Sequence, residues 1–181
     1  MTSTQSILIE NGRVVDPSQR IDKIANVLIV DGKIIGIGVP KDDVPAGAQR
    51  VDATDKIVTP GLVDMHAHLR EPGYEEAETV ATGARAALCG GFTSIACPPN
   101  TNPPIDTQAQ VALIRELATS AKQCNVFPIC CISKERKGQE LAELGLLFEC
   151  GDVACSDDGS SVEDSELMRR ALEYCKMFNK A

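Results

Sequence analysis

The chain has 181 residues and a formal net charge of −8, with 43% hydrophobic and 24% charged residues. This is the composition of a folded domain and not of a disordered segment, and its acidity argues against a nucleic-acid or anionic-membrane partner. No apolar run approaches the roughly 18 residues that a membrane span needs, and residues 1–12 contain no secretory h-region.

In chain order, Ile7-Leu8-Ile9, Asn11-Gly12 and Arg13-Val14-Val15 read as strand, turn and strand, because Asn-Gly tolerates the positive φ of a tight hairpin. The pattern returns at Asn26 to Val30, Asp31-Gly32 and Lys33 to Ile37. Two hairpins joined by polar segments predict a small β-sandwich-like domain over residues 1–55, either one layer of a sandwich or a small open sheet, with Pro40 to Ala48 as a loop.

From Lys56 the texture changes. Leu62 to Leu69 reads as an apolar strand, Phe92 to Cys97 as a second, Asn125 to Ile132 as a third and Val153 to Ser156 as a short fourth. Between and after them, Thr79 to Cys89, Thr107 to Lys122, Gln139 to Leu147 and Ser165 to Phe178 carry helical spacing, the first closed by Gly90-Gly91. Four strands alternating with four helices over residues 56–181 predict a parallel α/β sheet.

The chain has two His, at positions 66 and 68. On a strand, His66, His68 and Arg70 share one face with Asp64, while Met65, Ala67 and Leu69 face the packing side. A single His is more often a packing residue. Two in parallel at the carboxyl end of an apolar strand point instead to a metal site. Parallel α/β folds bind ligands at that end, so two further loops join the rim: Cys97-Pro98-Pro99-Asn100-Thr101-Asn102-Pro103-Pro104 and Ser156-Asp157-Asp158-Gly159. Taken alone, each loop is as well explained as a Pro-locked turn or an exposed cap. The eight Cys include no C-x-x-C pair, so they read as reduced thiols of a cytoplasmic protein, many of them buried.

The run Pro60-Gly61-Leu62-Val63-Asp64-Met65-His66-Ala67-His68-Leu69-Arg70-Glu71-Pro72-Gly73 resembles the opening motif of the dihydroorotases in the amidohydrolase superfamily. The resemblance continues through Gly90-Gly91-Phe92-Thr93-Ser94, Pro99-Asn100-Thr101-Asn102-Pro103 and Ser156-Asp157-Asp158-Gly159. It implies the N-terminal half of a (β/α)8 TIM-type barrel behind a small β domain, and zinc, two ions in a complete site. The implied ligands are His66, His68 and Asp158, with Asp157 a weaker candidate. Arg70 and Asn100, beside His68, would hold the substrate carboxylate, as a guanidinium fork and an amide can. Pro98 departs from the family, which usually has Met there, and Cys97 and Cys155 also stand at variable positions.

Further His ligands and a general acid are expected beyond Ala181, so residues 1–181 alone are expected to be inactive and prone to associate. The reaction implied is the reversible conversion of N-carbamoyl-L-aspartate to dihydroorotate in pyrimidine synthesis, by a homo-oligomer that could associate with aspartate transcarbamoylase. Two alternatives stand beside it: an allantoinase- or hydantoinase-type amidohydrolase, and a non-catalytic dihydroorotase-like assembly partner.

Overall fold

A computed structural model describes residues 5–181, which divide into two compact units meeting at Pro60 and Gly61. In the first unit, β1 (Ser6–Asp16), β2 (Ile21–Val30), β3 (Lys33–Ile37), β4 (Gln49–Asp52) and β5 (Ile57–Val58) form one mixed sheet in the order β3-β2-β1-β4, with β5 also beside β1. Asp31 and Gly32, both at positive φ, close the β2–β3 hairpin as expected.

The Asn11-Gly12 expectation fails. β1 runs straight through it, and Glu10 and Asn11 together oppose a single β2 residue, a bulge centred on Asn11 at φ 64. Gly12 is needed there because a Cβ would sit 2.6 Å from Val58 Cγ2. The true turn follows Asp16, whose carboxylate accepts hydrogen bonds from the Ser18 amide and hydroxyl and from Gln19. Among the described residues the unit is one mixed sheet.

The second unit is parallel α/β: β6 (Leu62–Asp64), α1 (Val80–Cys89), β7 (Phe92–Cys97), α2 (Gln108–Ala121), β8 (Asn125–Pro128), α3 (Leu144–Glu149) and α4 (Ser165–Met177), with strand order β6-β7-β8. Thr79 and Thr82 cap each other's backbone amides to start α1, and Gly91 at φ 85 follows its end. The apolar stripe of α2 puts Val111 and Ile114 fully inside, against Val80, Ile95, Ile105, Leu144 and Leu147. Burying a side chain of this size contributes about 1.5–3 kcal/mol, which is what seats the helices on the strands.

Four expectations need correction. The first strand of this unit ends at Asp64, not Leu69. The third ends at Pro128, and the fourth is a single parallel bridge, Cys130 to Cys155, flanked by amide bonds from Val153 to Pro128 O and from Ser156 to Cys130 O. The third helix begins at Leu144 because residues 139–143 fold back along 132–134: Lys134 N donates to Glu140 O and Ala142 N to Ile132 O, each at 2.9 Å. All eight Cys are free, and five are buried. No helix of the described residues is long and apolar enough to cross a membrane.

Candidate metal centre

The chain leaves β6 with a bend at Met65, and the Asp64 carboxylate holds that bend by accepting the His66 amide at 3.0 Å. One residue on, Ala67 N rejoins the sheet by donating to Ala96 O at 2.9 Å. This bend replaces the simple alternation expected along the strand. Met65 is 78% exposed instead of packed, and Arg70 stands at φ 61, off any strand. Leu69 alone of the three apolar positions is fully in the core, against Gly83 of α1.

The two imidazoles nevertheless converge. His66 Nε2 and His68 Nε2 are 3.2 Å apart, with rings nearly perpendicular at 75°. Asp158 completes the group, its Oδ1 3.2 Å from His66 Nε2 and its Oδ2 3.8 Å from His68 Nε2. Donor atoms of all three lie within 4.8 Å of one another.

These spacings can be compared with what an ion requires. Ligand bonds of about 2.0–2.1 Å around a tetrahedral zinc put neighbouring donors about 3.3 Å apart. Two of the three observed spacings match that edge, and the two-nitrogen, one-oxygen donor set suits zinc. Three protein ligands with an open position is the pattern of a catalytic ion. The side chains of His66, His68 and Asp158 are 54%, 28% and 15% exposed, so the open side faces solvent.

Asn100 joins through the far side of His68, with Oδ1 3.0 Å from Nδ1. Its loop is rigid by construction. Buried Thr101 donates to Pro103 O at 2.8 Å, and Asn102 N donates to Pro72 O at 2.9 Å. That last bond ties the loop to the Pro72-Gly73 turn, where any Cβ on Gly73 would collide with the Asn102 backbone. Arg70, two residues past His68, is partly buried, and its guanidinium has no hydrogen-bond or ion-pair partner among the described residues.

Asp157 does not join the group. It is 3% exposed, and its Oδ1 accepts the Ile132 and Ser133 amides at 2.8 and 3.1 Å, while Oδ2 accepts the Ser133 hydroxyl. The carboxylate pair thus divides its labour: Asp157 anchors the loop inward and Asp158 faces the imidazoles. Sequence reading missed Arg136 altogether. Its guanidinium donates to the Asp157 carbonyl at 3.1 Å, to the Asp158 carbonyl, and to Ser160 Oγ at 3.2 Å. Nothing in the local sequence around Arg136 signals that contact.

Residues 55–180 match the family model described as Dihydro-orotase-like. The chain is 55% identical over 171 residues to the dihydroorotase of Citrifermentans bemidjiense, a match covering 94% of this chain and 40% of that relative. It is 53% identical over 173 residues to the dihydroorotase of Geobacter sulfurreducens, with the same coverage. The chain therefore spans about 40% of the length of these curated relatives. In fold it is similar to an L-hydantoinase (dihydropyrimidinase) from Arthrobacter aurescens, with a TM-score of 0.77 at 22% identity, over 96% of this chain and 39% of that one. A crystal structure of a dihydroorotase matches with a TM-score of 0.62 at 18% identity, over 97% of this chain and 49% of that one.

Proposed function

Since the chain belongs to the dihydroorotase-like family, we propose that His66, His68 and Asp158 hold zinc in an enzyme that interconverts N-carbamoyl-L-aspartate and dihydroorotate. The observation that carries this reading is the convergence of two Nε2 atoms and one carboxylate at spacings suited to a single ion. In this reading the unit is the first part of an eight-fold β/α barrel. A complete centre of two zinc ions, as the family resemblance implies, would take His66, His68 and Asp158 among its ligands.

Zinc bound there supplies the positive charge that polarises an amide carbonyl and acidifies water near neutral pH. The chain's own residues do the positioning. Arg70, with no protein partner, and the Nδ2 of Asn100, whose Oδ1 faces His68, grip the substrate carboxylate and orient the ring over the ion. None of these residues is assigned the proton that the leaving nitrogen requires. We further propose a cytoplasmic homo-oligomer, and association with aspartate transcarbamoylase remains part of the same reading.

The test is elemental analysis of the purified full-length protein with dihydroorotate turnover assayed alongside. His66→Ala and His68→Ala should each lose zinc and turnover, whereas Arg70→Met should keep zinc and lose kcat/KM. Undiminished zinc in both His variants overturns the metal assignment. Wild-type kinetics in Arg70→Met would favour a neutral ring, as in the hydantoinase-type alternative.

A further inference from the structure

Asp158 is carried on a loop, and a carboxylate on a loop is only as well placed as the loop itself. Two sets of contacts hold residues 156–160. The buried Asp157 carboxylate takes the backbone of 132–133 from one side, and Ser133 Oγ in turn accepts the Gly138 amide at 2.8 Å. From the other side Arg136 reaches three acceptors on consecutive parts of the loop, the carbonyls of Asp157 and Asp158 and the hydroxyl of Ser160. Ser160 N closes the turn on Asp157 O at 3.0 Å.

The segment that presents Arg136 is itself unusual. Glu135 and Arg136 stand at φ 54 and φ 58, a left-handed conformation that side chains of this kind rarely adopt. The Glu135 amide is held there by Asp106 Oδ2 at 2.7 Å, and Ser133 O takes the Arg136 amide at 3.1 Å. Strained backbone of this kind persists where its surroundings over-determine it, and it clusters at functional sites. Here the outcome is to aim a planar guanidinium, whose several donors lie in a fixed fork, across the mouth of the Asp158 loop.

We propose that Arg136 is a positioning residue for the metal centre: it contacts no ligand atom, but clamps the 157–160 backbone so that the Asp158 carboxylate stays on the two imidazoles. The inference rests on the reading of His66, His68 and Asp158 as the ion's ligands, and it adds a residue that none of the recognised motifs contains. Partners outside the ligand set that orient it are worth about 10–100-fold in metal affinity. A lysine ammonium has three donors on one nitrogen and no planar fork, so it replaces this set of contacts only in part.

The experiment is competition of the protein against a chelator for zinc alone, with melting recorded with and without zinc. The variants are Arg136→Gln, Arg136→Lys, Ser160→Ala and the control His66→Ala. Zinc affinity should fall about 10–100-fold in Arg136→Gln, less in Arg136→Lys, and least in Ser160→Ala. The stabilisation that zinc confers should shrink in the same order. A purely structural role would lower the melting temperature equally with and without zinc, and that result overturns the proposal. So does wild-type zinc affinity in folded Arg136→Gln or, if that variant does not fold, in both Arg136→Lys and Ser160→Ala. Zinc affinity unchanged in His66→Ala would instead show that the centre itself is misassigned, and Arg136 falls with it.

Discussion

The Nδ1 of His68 lies 3.0 Å from the Oδ1 of Asn100, on the side of the ring opposite the Nε2 that faces Asp158. An amide oxygen accepts, so the imidazole carries its proton on Nδ1 and leaves the Nε2 lone pair for a metal. In the function proposed above, Asn100 thus has two tasks, one toward the ring and one toward the substrate.

The two tasks separate by mutation. Asn100→Leu should weaken zinc binding about 10–100-fold. Asn100→Asp keeps an acceptor for Nδ1 and should keep its zinc, yet it repels a substrate carboxylate and should lose kcat/KM. Zinc titration and steady-state kinetics on both variants of the full-length protein check the pair. Full zinc affinity in Asn100→Leu would remove the ring-orienting role.

The neighbouring aspartates should respond in opposite ways. Asp157→Ala leaves the buried amides of Ile132 and Ser133 and the Ser133 hydroxyl without their acceptor, and should cost a few kcal/mol of stability. Asp158→Ala should leave the melting temperature of the metal-free protein nearly unchanged and abolish tight zinc binding. Thermal melts with a chelator present, followed by zinc titration, distinguish the two. The reverse pattern would exchange the roles.

Asp152 predicts a pH dependence. Both its oxygens are buried with no hydrogen-bond partner, beside the Cys97 and Cys130 thiols, with Lys180 and Arg115 the cations that act on it. Burial pushes its carboxyl up to about 7, the Cys130 thiol and then the two cations pulling the other way. In the unfolded chain it ionises near pH 4. The folded state therefore binds the extra proton between these values, so stability should fall as pH rises from about 4 to about 7 and then level off. Asp152→Asn should remove that slope and gain of the order of a few kcal/mol at pH 8 relative to wild type. Denaturant unfolding at pH 5 and pH 8 measures it, and an unchanged slope in the variant would refute it.

Val63, Met65 and Phe127, exposed by 65%, 78% and 39%, line one hollow with Ala96, Ile129, Val153 and Ala154. A contiguous apolar patch of this kind favours association. The chain by itself should self-associate in sedimentation experiments, and Met65→Lys with Phe127→Lys should reduce that association without lowering the melting temperature. Equal association in the double variant would place the contact elsewhere.

How legible these features were in the sequence depended on how local their causes are. α2 was readable because Val111, Ile114, Leu117 and Ala118 recur at helical spacing and the packing agrees with that stripe. Asn11-Gly12 misled because the dipeptide permits positive φ in a bulge as readily as in a turn, and strand pairing with Ala25 and Val27 chose the bulge. Residues 139–143 misled because their helical spacing competes with backbone bonds to residues 132–134. The imidazoles converge as expected, but by a bend at Met65 and not by strand alternation.

By itself the sequence determined the alternation of strand and helix in the second unit, the Gly90-Gly91 stop that closes α1, and the paired His with the Ser156-Asp157-Asp158-Gly159 run. Each depends on side-chain periodicity or on residues a few positions apart. Only the tertiary structure decided which aspartate faces the imidazoles, what holds the far nitrogen of His68, and that Arg136 clamps the Asp158 loop. Those contacts join residues 21 to 92 positions apart. Such partners are chosen by the register and packing of whole elements, and no local pattern of residues encodes that choice.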